Sequence, residues 1–191
     1  MRSTLSRRPD KDSGATHRIH LVQGEFQVSN QADLVLTTTL GSCIATCLYD
    51  PVASVGGMNH FLLPHGEGRE GPEAIRYGAH AMELLINGML HAGARKNRLE
   101  AKLFGGGRLF DHLPDVGGSN ATFAERFLRH EGIAYLGGST RGCGARQIQF
   151  WPATGRVRQL AIPGGDNDVF QSERAVQAPA TEAGSIEFFE D

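Results

Sequence analysis

Hydrophobic and polar positions change their period several times along this chain. Short runs that alternate, or that are rich in apolar and β-branched residues, predict strands. These runs are RIHLVQGEFQVS, DLVLTTTL, CIATCLYD, VGGMNHFLLP, LEAKLF, IAYLGG, RQIQFW and RVRQLAI. The last two are joined by PATG, which is typical of a hairpin turn.

Two longer segments have helical spacing instead. The first begins near Pro72, places Ile75, Met82, Leu85 and Met89 on one face, and ends before a glycine at position 93. The second is NATFAERFLRHEG, in which the asparagine would cap the helix and the final glycine would end it. Together the runs predict one α+β domain with mostly antiparallel strands and two principal helices.

The two ends of the chain lack this patterning. Residues 1–17 are polar and basic, which favours a disordered N-terminal tail. Residues 164–191 mix Gly, Asp, Asn, Gln, Ala and Pro, which predicts a loose C-terminal extension in which Phe188 and Phe189 could dock. The folded domain is therefore expected over residues 18–163.

Composition narrows the class of protein. With 40% hydrophobic and 21% charged residues, the folded part is expected to be globular. Nineteen basic and 21 acidic residues give a net charge of −2, which argues against a nucleic-acid partner. The sequence contains neither a long apolar span nor a signal peptide, so we expect a cytoplasmic protein without membrane insertion. Three cysteines do not suggest a disulfide framework.

The stretch TTTLGSCIATCLYDP places a cysteine directly after a glycine and a serine. If residues 50–53 form a four-residue hairpin loop, Cys43 faces His60 across two antiparallel strands, close enough for the imidazole to activate the thiol. A strand that ends at Gly41 and Ser42 can turn sharply and free N–H groups near the sulfur for an oxyanion. This register predicts a cysteine nucleophile with a histidine base.

Other interpretations of the same residues are structural or metal-binding. A cysteine in an apolar strand is often a small buried hydrophobe, which is our interpretation of Cys47. Cys43, Cys47, His60 and His65 could form a zinc site, but their spacing does not match a zinc-finger frame. Cys143, in a predicted loop, is interpreted as incidental.

From Val22 to Ile162 the chain resembles the CheD family of bacterial chemotaxis proteins, the chemoreceptor glutamine deamidases. The resemblance rests on TTTLGSCIATCLYDP and GGMNHFLLP, and continues through YGAHAMELLINGMLHAGA, LEAKLFGGGRLF and GRVRQLAI. It implies that Cys43 is the nucleophile, that His60 is the general base and that Thr37 orients the imidazole. It also implies layered sheets with the helices packed on one side, an α/β/β-like arrangement.

The resemblance further implies the reaction and its partners. A receptor glutamine would become glutamate through a thioester, without a metal or other cofactor, and the protein substrate would be the helical cytoplasmic region of chemoreceptors. We expect Asn59, Gly105 and Gly106 to lie at the substrate cleft, although the glycines after LEAKLF could equally permit close packing of the backbone. A CheC-type phosphatase is a possible second partner. The resemblance is looser around Arg141 and Arg146, whose roles it leaves open.

Two alternatives to this function stay open at the level of sequence. The chain could be a non-catalytic chemotaxis adaptor that binds receptors or a CheC-type phosphatase. It could also act on another amide, because a cysteine and a histidine serve several acyl-transfer reactions.

Overall fold

A computed structural model describes residues 17–63, 71–110, 114–164 and 166–177. The strands in this part of the chain are β1 His17–His20, β2 Phe26–Ser29, β3 Leu34–Leu40, β4 Ile44–Asp50, β5 Val55–Phe61, β6 Glu100–Gly105, β7 Ala134–Thr140, β8 Ala145–Trp151 and β9 Arg156–Ile162. The helices are α1 Pro72–His91, α2 Val116–His130 and α3 Asp166–Gln177, with a single 3₁₀ turn at Lys96–Arg98. No helix in these ranges is both long and apolar enough to cross a bilayer.

The strands form two sheets, in the orders β1-β3-β8-β9 and β2-β5-β4-β6-β7. Among the pairings between these strands, only β1 with β3 and β6 with β7 are parallel. Strands β8 and β9 form the expected hairpin, with Trp151 opposite Arg156. The α+β class with mostly antiparallel strands is therefore confirmed.

Two hydrophobic cores separate three layers. In the first core, α1 and α2 pack on the five-stranded sheet, through side chains such as Met82, Leu85 and Leu128. In the second core, the two sheets pack face to face through side chains such as Leu36 of the four-stranded sheet and Cys47 of the five-stranded sheet. This order of helices, sheet and sheet confirms the layered arrangement.

The β4–β5 hairpin has a register that differs by two residues from the predicted one. Asp50 pairs with Val55, so the turn lies at 51–54 and His60 faces Ala45 rather than Cys43. Asp50 stays in the strand because its Oδ1 accepts hydrogen bonds from the amides of Val52 and Ala53. A shift of two residues keeps every side chain on its predicted face, since side chains alternate with a period of two.

Helix α1 begins at Pro72 as predicted, but its buried face differs in part. Met82, Leu85 and Met89 are buried, whereas Ile75 is 57% exposed. Its neighbour Ala74 is buried instead. The predicted stripe was therefore misplaced by one position in the first turn.

Helix α2 begins four residues before the predicted cap. Asp115 caps it, and its carboxylate accepts a hydrogen bond of 2.8 Å from the amide of Gly118. Asn120, the predicted cap, is a buried residue inside the helix. The expectation was wrong because sequence alone does not distinguish an asparagine that caps a helix from one whose side chain points into the core.

The expected loose extension after residue 163 contains a helix. Asp166–Gln177 form α3, which buries Val169 and Glu173 against the domain. Of the predicted tail over residues 1–17, His17 begins β1, whereas residues 1–16 lie outside the described residues, as do Phe188 and Phe189 at the other end.

Candidate active site

A tight turn between β3 and β4, here called the cysteine turn, comprises Gly41–Cys43. Cys43 has no exposed surface and immediately precedes β4. Gly106 donates its amide hydrogen to the Cys43 carbonyl at 2.7 Å, and Gly107 donates to the Gly41 carbonyl at 2.8 Å. The glycine run after β6 is therefore bonded to the backbone of this turn.

Glycine is required at the contact between this run and the cysteine turn. Gly105 has a φ of +100°, and a Cβ atom there would overlap the carbonyl oxygen of Cys43. Gly105 and Gly106 are both buried. Of the two roles considered for these glycines, their contacts match close packing of the backbone against the cysteine turn.

Helix α2 holds the cysteine turn from another side. Asn120 donates from Nδ2 to the carbonyl of Ser42 at 2.9 Å, and its Oδ1 accepts from the amide of Leu63 at 2.9 Å. One buried carboxamide thus ties the turn to the end of the segment that follows His60. Sequence reasoning missed this role because it treated Asn120 as a helix cap.

The three amides of the cysteine turn converge on the carboxylate of Glu173 in α3. Gly41 and Cys43 donate to Oε1 at 2.9 and 3.1 Å, and Ser42 donates to Oε2 at 3.1 Å. The hydroxyl of Ser42 makes a further short hydrogen bond to Oε2. The turn is therefore an anion-binding nest, and it already holds a carboxylate.

His60 is positioned by β3 and by the turn after β1. Its Nδ1 lies 2.8 Å from the hydroxyl oxygen of Thr38 and 3.4 Å from the carbonyl oxygen of Leu21. The Thr38 hydroxyl itself donates to the Leu21 carbonyl at 2.8 Å, so its only hydrogen is already used. Both oxygens near Nδ1 must therefore accept, which places the imidazole hydrogen on Nδ1.

The other ring nitrogen of His60 is buried and lacks a hydrogen-bond partner among the described residues. With the hydrogen on Nδ1, Nε2 carries a free lone pair. Burial is the main cause that lowers the pKa of His60 below its usual value, so the ring stays neutral near pH 7. A neutral imidazole with a free lone pair can act as a general base.

The threonine in contact with His60 is Thr38, not Thr37. Side chains alternate between the two faces of β3, so Thr37 points away from His60. Its hydroxyl donates to the Ile19 carbonyl at 3.4 Å and lies 3.3 Å from Nδ1 of His20. The link from Thr37 to the imidazole is indirect. Its carbonyl accepts from the amide of Leu21, whose own carbonyl lies near Nδ1 of His60.

Cys43 and His60 belong to the same face of the five-stranded sheet. His60 is paired with Ala45, two residues after Cys43, so the two side chains are diagonal neighbours in the space between the sheets. The turn after β1 connects them: the Cys43 Sγ lies 3.5 Å from Oε1 of Gln23, and Gly24 donates to the His60 carbonyl at 2.7 Å. Sequence reasoning did not identify Gln23.

The Cys43 thiol is protonated in this arrangement. Burial and then the neighbouring Glu173 carboxylate raise the pKa of Cys43 well above its usual value. The same carboxylate acts on His60 in the direction that raises the imidazole's pKa. Glu173 is therefore an electrostatic neighbour of both groups.

Asn59 does not line a cleft. As the neighbour of His60 in β5 it points to the opposite face, where its Oδ1 accepts from the Thr46 amide at 3.0 Å and its Nδ2 donates to the Ala81 carbonyl at 3.1 Å. The side chain is buried between the sheet and α1. The expectation of a cleft position is corrected, because strand alternation separates Asn59 from His60.

The remaining cysteines and arginines have local environments of their own. Cys47 is buried between the sheets, and burial raises its pKa, whereas Cys143 is exposed. Arg146 is buried and donates to the carbonyls of Ser139 and Arg141, so it braces a turn. Arg141 forms a salt bridge with a glutamate of α2, at 2.6 Å.

The structure also bears on the alternative of a zinc site. Within the described residues, no three His, Cys, Asp or Glu side chains are grouped as metal ligands. His65, one of the four residues considered for zinc, lies outside those residues.

A thiol, a neutral imidazole on the same sheet face and a nest of backbone amides are the components of a cysteine-dependent hydrolase. A family model described as CheD chemotactic sensory transduction matches residues 62–160. The chain is 56% identical over 182 residues to the probable chemoreceptor glutamine deamidase CheD of Caulobacter sp. (strain K31), covering 94% of this chain and 96% of that protein. It is 51% identical to the protein of the same name from Agrobacterium fabrum, covering 92% and 98%.

The chain therefore belongs to the CheD family. Among solved structures, the Bacillus licheniformis hypothetical protein YfiH is similar with a TM-score of 0.40 and 15% identity, over 62% of this chain and 51% of that one. No functional conclusion follows from so weak a likeness.

Proposed function

We propose that this protein deamidates glutamine side chains of chemoreceptors, with Cys43 as the nucleophile and His60 as the proton carrier. The observation that carries the proposal is the nest at Gly41–Cys43, whose amides bind a carboxylate next to the thiol. Donors that hold a carboxylate oxygen also suit the oxyanion that forms when a carboxamide is attacked. The names of the 51–56% identical relatives support chemoreceptors as the substrate.

The proposed reaction begins with proton transfer from the Cys43 thiol to Nε2 of His60. The sulfur attacks the carboxamide carbon, and the amides of the cysteine turn stabilise the oxyanion. His60 then returns the proton to the leaving nitrogen, ammonia departs, and a thioester remains. Water gives a proton to Nε2 and its hydroxide attacks the thioester, which releases glutamate and restores the thiol.

Thr38 has the orienting role in this proposal. Because its hydroxyl donates to the Leu21 carbonyl, it can only accept from Nδ1–H, and this fixes the tautomer that leaves Nε2 free. Thr37 contributes through the backbone only. The reaction uses no group beyond the protein and water.

Ammonia release from a purified cytoplasmic receptor fragment tests the proposal. Wild-type protein and a Cys143→Ala control are expected to release ammonia at similar rates, and Cys43→Ala none above background. Binding of the fragment without Cys43-dependent ammonia release would favour the non-catalytic adaptor instead. A CheC-type phosphatase, if it docks at the same site, is expected to lower the rate when added.

A further inference from the structure

The described arrangement of the site is closed. Cys43 has no exposed surface, and the side chain that fills the nest, Glu173, is 5% exposed. A protein substrate cannot reach a sulfur in this state. Access to Cys43 therefore requires something to move, and α3 is the element whose side chain occupies the amides of the cysteine turn.

Helix α3 packs on the domain through three side chains, of which Glu173 and Val169 contact the cysteine turn. Glu173 accepts the hydrogen bonds of the nest. Val169, one helical turn earlier, is buried, and a Cβ atom at Gly41 would lie 3.0 Å from it. Phe170 packs edge-on against Phe110, with ring centroids 5.0 Å apart.

The group that Glu173 presents is chemically the product of the proposed reaction. Deamidation converts a glutamine side chain into a glutamate side chain, and a glutamate side chain on a helix occupies the nest here. The proposed receptor substrate is also helical. Glu173 on α3 thus occupies the nest as a bound product glutamate would.

We propose that α3 is an intramolecular plug in which Glu173 takes the place of the product glutamate, and that receptor glutamines reach Cys43 only when α3 leaves. This inference rests on the proposed function for the identity of the product. The occlusion itself rests on the contacts of α3 alone.

The length and attachment of α3 suit a removable plug. A helix of 12 residues is only marginally stable on its own in water, so α3 depends on its contacts with the domain. Few such contacts hold it among the described residues, so undocking it requires little free energy. Strand β9 ends at Ile162 and α3 begins at Asp166, so the helix stays tethered close to the site. A short tether gives α3 an effective concentration on the order of millimolar at the cysteine turn, and a receptor must compete with α3 for this position.

Departure of Glu173 also changes the thiol. The carboxylate is the second cause, after burial, that raises the pKa of Cys43. Its departure reduces the burial of the cysteine turn and removes a neighbouring negative charge. Both effects act in the direction of a more reactive Cys43.

The first test measures occlusion through alkylation of each cysteine by iodoacetamide, followed by peptide mass mapping. Glu173→Ala is expected to raise the Cys43 rate by about tenfold or more. The rate at the exposed Cys143 should not change, and Asp168→Ala, which removes an exposed carboxylate from the same helix, should leave Cys43 slow. An unchanged Cys43 rate in folded Glu173→Ala protein would overturn the plug.

The second test asks whether residue 173 occupies the substrate position. In Glu173→Gln the plug carries a carboxamide, and Cys43 is expected to convert it to glutamate with a mass gain of about one dalton. The tryptic peptide 159–174 also contains Gln159 and Gln171, which should stay unconverted. Adding Cys43→Ala to the same variant should preserve the carboxamide at position 173.

The outcomes separate this inference from the proposed function. If receptors are deamidated by Cys43 but the Glu173→Gln variant keeps its carboxamide, the product-mimic assignment fails and the proposed function stands. If Cys43→Ala leaves receptor deamidation intact, the proposed function fails, and the alkylation rates still decide whether α3 occludes the thiol.

Discussion

The hydroxyl of Thr38 lies 2.8 Å from Nδ1 of His60, in the buried space between the two sheets. The same hydroxyl donates to the Leu21 carbonyl, so this contact sets the tautomer of the imidazole. A residue on β3 therefore determines which nitrogen of a β5 histidine can take a proton from Cys43.

Replacing Thr38 by valine keeps the shape of the side chain and removes the hydroxyl. We expect kcat/KM for receptor deamidation to fall by about tenfold to a hundredfold, because both tautomers of His60 then become accessible. Thr37→Val is the matched control, since the Thr37 hydroxyl faces His20 and Ile19. Equal losses in the two variants would contradict the orienting role of Thr38.

Asn120→Asp should separate the two hydrogen bonds of that side chain. The carboxylate can still accept from the Leu63 amide but cannot donate to the Ser42 carbonyl. We expect lower deamidation activity with a folded domain, because the nest loses a support. Both kcat and the melting temperature of the variant should be measured. A folded variant with the kcat of the wild-type protein would show that the hydrogen bond from Asn120 to Ser42 does not support the nest.

Gly105→Ala is expected to reduce both stability and activity. Gly105 has a φ of +100° and Gly137 has a φ of +96°, but only at Gly105 would a Cβ atom overlap the Cys43 backbone. Both alanines should cost about 1–2 kcal/mol from backbone strain. Only Gly105→Ala should also lower kcat, by about tenfold or more. Similar kcat values for the two variants would show that the contact does not shape the turn.

The environment of Asp50 predicts that the folded state loses stability at acid pH. Burial opposes its ionisation, but hydrogen bonds from the Arg95 amide, the Arg98 guanidinium and the turn amides outweigh burial and lower its pKa to about 2. A carboxyl with a lowered pKa in the folded state stabilises above its unfolded value, near 4, and loses this contribution as pH falls towards 2.

Chemical denaturation at several pH values tests this role of Asp50. Asp50→Asn should lower the free energy of unfolding by about 2 kcal/mol at pH 7, and the difference from wild type should shrink below pH 4. A difference that is constant from pH 7 to pH 2.5 would rule out ionisation of Asp50 as its source.

The order of strands and helices up to the end of β9 could be predicted from the sequence because it depends on local periodicity, whereas α3 lies in a segment expected to be loose. The face of Cys43 and His60 was also predictable, since it survives a two-residue error in register. The register itself was not, because it depends on Asp50 binding the turn amides from within the strand. The choice between Thr37 and Thr38 depends on which face of β3 is turned towards β5, and a run of three threonines does not reveal it.

Contacts between distant segments could not be predicted from local patterns. The bonds between the cysteine turn and Glu173 join residues about 130 positions apart. Val169 and Glu173 lie four residues apart in a polar segment, so the only local signal was one apolar and one acidic residue on the same helical face. Similarly, Asn120 resembled a cap because its buried partners, Ser42 and Leu63, are far away in sequence.

The most direct measurement is tandem mass spectrometry of a receptor cytoplasmic fragment after incubation in ordinary water and in water enriched in ¹⁸O. Hydrolysis through a Cys43 thioester predicts that particular glutamines gain about one dalton in ordinary water and about three in the enriched water. Cys143→Ala should give the same pattern, and Cys43→Ala none. Conversion of the same glutamines by Cys43→Ala, or no conversion by the wild-type protein when its Cys43 is accessible, would contradict the account.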